Sequence, residues 1–86
     1  MGELSKLPNI GKTVEEQLVQ VGINTADELA QTGSKEAWLR ILEIDESACI
    51  NRLMALEGAI RGVKKNMLQD EVKADLKAFY QKNKMK

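Results

Sequence analysis

The chain has 86 residues, no net charge, one cysteine (Cys49) and no histidine; at this length it buries only about 60–65% of the surface it exposes when unfolded, so it rests on one modest core. The cysteine and histidine counts exclude an intrachain disulfide framework and a Cys/His metal site, and no apolar stretch nears the roughly 20 residues needed to cross a bilayer. Charge is unevenly spread: residues 1–48 carry four basic and nine acidic groups, net −5, and residues 49–86 carry nine basic and four acidic, net +5; the turn at residues 7–18 lies in the acidic half, which counts against strong nucleic-acid binding.

In chain order, the pattern predicts helices joined by short connectors. No strand is expected, because no alternating apolar/polar run of useful length occurs. Residues 3–7 make one helical turn with Leu4 and Leu7 on one face. Pro8 ends it by forcing Leu7 out of helical geometry. Thr13 then opens a helix, with Glu16 at capping-box spacing and Val14, Leu18 and Val21 as its apolar stripe. Gly22 closes it as a C-terminal cap. Thr25 and Glu28 repeat the box for a short helix bearing Ala26, Leu29 and Ala30, up to Gly33. Ser34 caps the next helix, which carries Ala37, Trp38, Ile41 and Leu42. Asp45 or Ser47 starts the longest helix, to about Gly62, with Cys49, Leu53, Leu56, Ile60 and Val63 as its stripe. After a connector at residues 66–69, the last helix spans about 69–83 and shows Val72, Leu76, Phe79 and Tyr80. Asp70 and Glu71 in its first turn and Lys82 in its last complement the helix dipole. The expected fold is all-α: one domain over residues 1–86, about five short helices, ordered from about 3 to 82, with the NKMK tail fraying.

The stretch LPNIGKTVEEQL, residues 7–18, sets a turn and a glycine before a helix start. That order suits a helix-hairpin-helix, which lays the free amides of a helix N-terminus against phosphates. Leu4, Leu7, Ile10 and Leu18 supply its apolar core. Asn9, Ile10, Gly11, Lys12 and Thr13 are the candidate phosphate contacts, and Lys12 adds one charge. The usual form has glycine, apolar, glycine; here the first glycine is Asn9. Asparagine tolerates left-handed geometry but adds a side chain where the phosphate would lie. Glu15 and Glu16 stand just behind the tip and oppose an anion. The other reading of the stretch is a structural corner between two helices.

Gly58 and Gly62 lie four apart in GAIRG, beside Ala55 and Ala59. Glycine inside a helix costs about 1 kcal/mol relative to alanine. Close approach of another helix is expected to offset that cost, either the helix at Thr13 or the last helix, or else a partner. Glu57 is open to two readings. One is an ion pair with Arg61 four residues on; the other is a partly buried carboxylate binding free N–H groups of a neighbouring helix start. Arg61, Lys64 and Lys65 form a basic corner within a wider set of Arg52, Lys73 and Lys77. It is a second candidate phosphate contact, diluted by Asp70, Glu71 and Asp75. Trp38 and Tyr80 are read as core. Cys49, on the long helix's stripe, is expected to be a buried, unreactive thiol, and a lone cysteine fits a reducing cytoplasm. With no histidine for general-base work, no glycine-rich phosphate loop and no metal spacing, no catalytic, cofactor or metal site is expected.

LPNIG, VGINTADEL and LMALEGAIRGV followed by EVKADL resemble the C-terminal domain of the bacterial TfoX/Sxy competence regulators, in order and spacing, over about residues 3–80. The resemblance implies an all-helical, helix-hairpin-helix or SAM-like fold. Full-length members carry a further N-terminal domain and are tied to transcriptional control of DNA uptake, so this chain is expected to be a stand-alone version. Members commonly have Pro-Lys after the hairpin glycine, where this chain has Lys12-Thr13, a weaker basic tip.

Two function classes follow. The first is a regulatory module with weak, non-sequence-specific DNA association. The second is a protein-interaction module that keeps the hairpin only as architecture. A monomer is favoured over a dimer, and no membrane association is expected.

Overall fold

A computed structural model describes residues 4–84. A 3-10 turn at Leu4–Lys6 leads through the hairpin to α1, Lys12–Gln20. There follow α2, Ala26–Thr32, then α3, Ser34–Ile44, and α4, Ile50–Arg61. A second 3-10 turn, Lys65–Met67, precedes α5, Asp70–Lys84. Among the described residues there is no strand. The all-α architecture of one small domain with five short helices is as the sequence predicts.

Several boundaries follow from local chemistry. The Thr25 hydroxyl accepts from the Glu28 amide and the Glu28 carboxylate accepts from the Thr25 amide, so the predicted capping box forms. α1 and α4 end alike. Gly22 (φ +91°) and Gly62 (φ +76°) turn left-handed, and the next amide reaches back five residues: Ile23 to Leu18 O at 2.8 Å, Val63 to Gly58 O at 2.9 Å. That is the Schellman closure glycine permits.

Other boundaries differ from the sequence reading. α1 opens at Lys12 with Gly11 as its N-cap, and Thr13 lies exposed in the first turn without capping. Asn9 turns left-handed (φ +70°) in the turn before α1. Ser34 is the first residue of α3, not its cap, and is buried at 4% exposure. α4 starts at Ile50 rather than Asp45 or Ser47, because the Asp45 carboxylate is drawn sideways. Its Oδ1 takes the amide and hydroxyl of Ser47, and its Oδ2 takes Gln17 Nε2 at 2.8 Å and Arg52 Nη1 at 3.0 Å. Residues 45–48 therefore form a turn, α4 is 12 residues long, and α5, at 15, is the longest helix. The predicted connector contains the 3-10 turn. α5 continues through Lys84, so the tail's first two residues are helical; the rest of the predicted fraying, and Glu3 of the first turn, fall outside the described residues.

The core gathers Leu18, Ile23, Leu29, Trp38, Ile41, Leu53, Leu56 and Leu76, all essentially buried, and is closed by Leu4 and Ile10 from the hairpin. Each such aliphatic side chain contributes about 1.5–3 kcal/mol on burial. α4 packs on α2, α3 and α5. α5 is seated on Trp38, with ring centroids 6.1 Å from Phe79 and 5.6 Å from Tyr80; such pairs add about 0.5–1.5 kcal/mol beyond area. Trp38 is a core residue, as read, and Tyr80 packs half-buried against the core from the apolar face of α5. Cys49 departs from the reading. It is the N-cap of α4 and only half-buried, because α4 starts later than predicted and Cys49 falls off its stripe.

Candidate nucleic-acid interface

Asn9 organises the hairpin. Its left-handed backbone makes the turn, and its side chain does not project from the tip. The carboxamide instead turns back across the end of α4. Nδ2 donates to Val63 O at 3.0 Å and, more weakly, to Ala55 O at 3.5 Å. Oδ1 accepts from the Lys65 amide at 3.0 Å. A residue near the N-terminus is thus tied to a turn more than fifty residues away. The two candidate phosphate contacts, hairpin tip and basic corner, are neighbours in space.

The candidates divide by what the fold leaves available. The Ile10 side chain is buried and its amide bonds to Leu7 O at 3.3 Å. Gly11, Lys12 and Thr13 are exposed. The first backbone bond of α1 runs from the Glu15 amide to Gly11 O, so the amides of Lys12, Thr13 and Val14 lie ahead of the helical ladder. Gly11 has an ordinary φ of −93°, and a Cβ there would meet nothing within 4 Å. The fold itself does not require glycine at that point. Glu15, one of the two acids behind the tip, accepts from the Ser5 amide at 3.3 Å. Lys64 and Lys65 are exposed. Among the described residues Lys12, Lys64 and Lys65 enter no ion pair, whereas Arg61 is paired with Glu57.

The small residues also divide. Ala55 and Ala59 are 7% and 2% exposed, and Gly58 is buried. What lies nearest Gly58 is not a neighbouring helix, contrary to the sequence reading. An added Cβ would lie 2.6 Å from Asn9 Nδ2, 2.7 Å from Val63 O and 3.3 Å from Lys65 N. What presses on Gly58 is the Asn9 carboxamide and the chain's own turn after α4. Gly62 is not close-packed at all: it is the exposed left-handed cap, with nothing within 4 Å of a Cβ position.

Glu57 combines the two readings offered for it. Its Oε2 pairs with Arg61 Nε. Its Oε1 accepts from the Ser34 hydroxyl at 2.6 Å, at the start of α3, so the partner there is a side chain rather than a backbone amide. Burial pushes the Glu57 carboxyl up, but Ser34, Arg61 and the Lys35 charge together hold it below its ordinary value. Asp45 lies well below the usual carboxylate range through its bonds to Ser47, Gln17 and Arg52. At Cys49, burial raises the thiol, yet the amides of Arg52 and Asn51 and the Arg52 charge bring it below its ordinary value of 9.0. A groove of about 630 Å³ runs between the start of α3, the end of α4 and α5, floored by Leu39, Val72, Leu76 and Phe79. No group of three or more metal-ligating side chains occurs among the described residues, and no helix there is long and apolar enough to cross a membrane.

A sequence model of the TfoX C-terminal domain matches residues 1–80. The chain belongs to that family. The TfoX C-terminal domain described here is also similar to two crystal structures, both 51% identical in sequence. One is of an uncharacterized protein from Listeria monocytogenes in a triclinic form, with a TM-score of 0.91 over 92% of this chain and 90% of that one. The other is of a protein of unknown function from Listeria monocytogenes in a tetragonal form, with a TM-score of 0.90 over 92% and 96%. No functionally curated protein matches the chain. By family, it is a competence-regulator-like domain.

Sequence reading missed the bridge of Gln17, Asp45 and Arg52. Gln17 donates to Asp45 and accepts from Arg52 Nη1 at 3.1 Å. Arg52 is thereby removed from the basic cluster it was grouped with. Only an acid seven residues before an arginine hinted at this in the sequence.

Proposed function

We propose that this TfoX C-terminal domain is a non-enzymatic regulatory module that associates weakly with the phosphate backbone of DNA. Its contact surface combines Gly11, Lys12 and Thr13 of the hairpin with Lys64 and Lys65 of the corner after α4. The observation that carries the reading is the hydrogen bond from the Lys65 amide to Asn9 Oδ1. It ties the hairpin that carries Lys12 to the turn that carries Lys64 and Lys65. Gly11 supports it: a glycine that the fold does not need leaves the backbone open to close approach from outside. Zero net charge keeps the association weak.

The test is a salt titration of binding to a random-sequence duplex. With two to four phosphate contacts, log affinity falls with log salt at a slope of roughly −2 to −4. Submicromolar binding that ignores salt contradicts the mechanism. A second reading, a protein-interaction module, draws on the apolar-floored groove between α3, α4 and α5. Absence of duplex binding at low salt selects it.

A further inference from the structure

We infer that Asn9 is a positioning residue of the proposed DNA-contacting surface, and that Gly58 is the socket that receives it. The inference rests on the DNA reading and adds to it the group that assembles the surface. In the simplest hairpin the position of Asn9 needs only a residue that tolerates left-handed backbone, which glycine does best. Asparagine here does that and more. Its carboxamide spans the chain's break after α4, accepting from Lys65 and donating to Val63 O and Ala55 O. Asn9 is half-buried, over the buried Ala55 and Gly58, but its main partners Val63 and Lys65 are exposed, so water could satisfy those two backbone groups and the net gain in stability is small for each bond.

What the carboxamide supplies is geometry. Residues 62–69 carry little apolar anchorage. Leu68 is buried, but Val63 and Met67 are 37% and 69% exposed. Backbone bonds within the segment, such as Met67 N to Lys64 O at 2.8 Å, close it on itself and do not attach it to the hairpin. Asn9 supplies that attachment. Gly58 makes it possible, since a Cβ would come within 2.6 Å of Nδ2. The turn that bears Lys64 and Lys65 is therefore tied to the hairpin at Asn9, so that a phosphate backbone meeting the hairpin need not order a loose turn on binding.

The consequence is epistasis. Asn9 matters to DNA only through the two lysines it places. Asn9→Gly keeps the left-handed turn and removes the carboxamide. Binding of the whole chain to a random-sequence duplex is measured by fluorescence anisotropy across a salt series. The variants are Asn9→Gly, the double variant Lys64→Gln/Lys65→Gln, and all three changes together. Asn9→Gly is expected to lower low-salt affinity at least about fivefold and to make the salt slope shallower by about one to two, as when one or two phosphate contacts are lost. In the Lys64→Gln/Lys65→Gln background the same change is expected to have no further effect. Exchange of the Lys65 amide, followed by NMR, should quicken in Asn9→Gly.

Binding that stays at the wild-type level in Asn9→Gly, or losses that simply add in the triple variant, overturn the positioning role while leaving the DNA reading in place. A wild-type domain that binds no duplex at low salt overturns both, and the exchange measurement then reports on the clip alone. Should Asn9→Gly fail to fold, Gly58→Ala displaces the carboxamide from below and must show the same epistasis.

Discussion

Gly58→Ala opposes two effects of known size. Alanine is favoured over glycine in a helix interior by about 1 kcal/mol, an upper figure for Gly58, which lies in the last turn of α4. Against this, the new Cβ would stand 2.6 Å from Asn9 Nδ2 and 2.7 Å from Val63 O. Both distances are far inside contact. The first neighbour is a short side chain fixed by its own hydrogen bonds, and the second is backbone, so neither yields cheaply. Overpacking of this kind costs about 1–3 kcal/mol. Displacing Asn9 also forfeits its bonds to Val63 and Lys65, at roughly 0.5–1.5 kcal/mol each. The balance is a net loss of about 1–5 kcal/mol. For a domain of this size that lowers Tm by roughly 5–28 °C. Urea unfolding at two protein concentrations is the assay. The loss is expected to be independent of concentration, because the obstruction lies within one chain. Stabilisation by alanine refutes the close-packing argument, and a concentration-dependent loss moves the small face to a subunit contact.

Two further outcomes are expected. Cys49, half-buried at the start of α4 and acidified there, should react with a thiol reagent in the native state within minutes near pH 8; labelling only in denaturant contradicts its placement. Asp45 and Glu57 have folded pKa values below their ordinary 3.8 and 4.5, so the unfolded chain takes up protons first as pH falls. Their stabilisation is full above about pH 5, and is lost progressively from there through their lowered folded values. Tm measured from pH 7 down to pH 2 should fall in that window, and less steeply in Asp45→Asn; an identical decline in the variant contradicts the assignment.

Local chemistry made much of the fold legible. Thr25 with Glu28, the glycines that close α1 and α4, and the apolar stripes of α3 and α5 act within a few residues, and the sequence shows them directly. The misreadings arose where a side chain found a distant partner. Asp45 has the composition of a helix cap, but Gln17 of α1 and Arg52 of α4 compete for its carboxylate, and the helix begins later. Thr13 has a cap's spacing, but the helix starts before it, at Lys12 with Gly11 as its cap. At the candidate interface the sequence marked the departure from glycine at Asn9 and the cost of Gly58 as separate oddities. They are one contact, between residues 49 positions apart, and no local pattern encodes it. The direction of the Asn9 side chain, back across α4 rather than out toward a ligand, was equally invisible.

The central claim is that hairpin tip and basic corner act as one DNA-facing surface. Backbone NMR of the labelled domain titrated with a short random-sequence duplex at low salt tests it most directly. The account predicts fast-exchange shifts confined to the amides of Gly11, Lys12, Thr13, Lys64 and Lys65, moving together along one binding curve and fading with added salt. Shifts along the α3–α5 groove, or at the tip without the corner, contradict it.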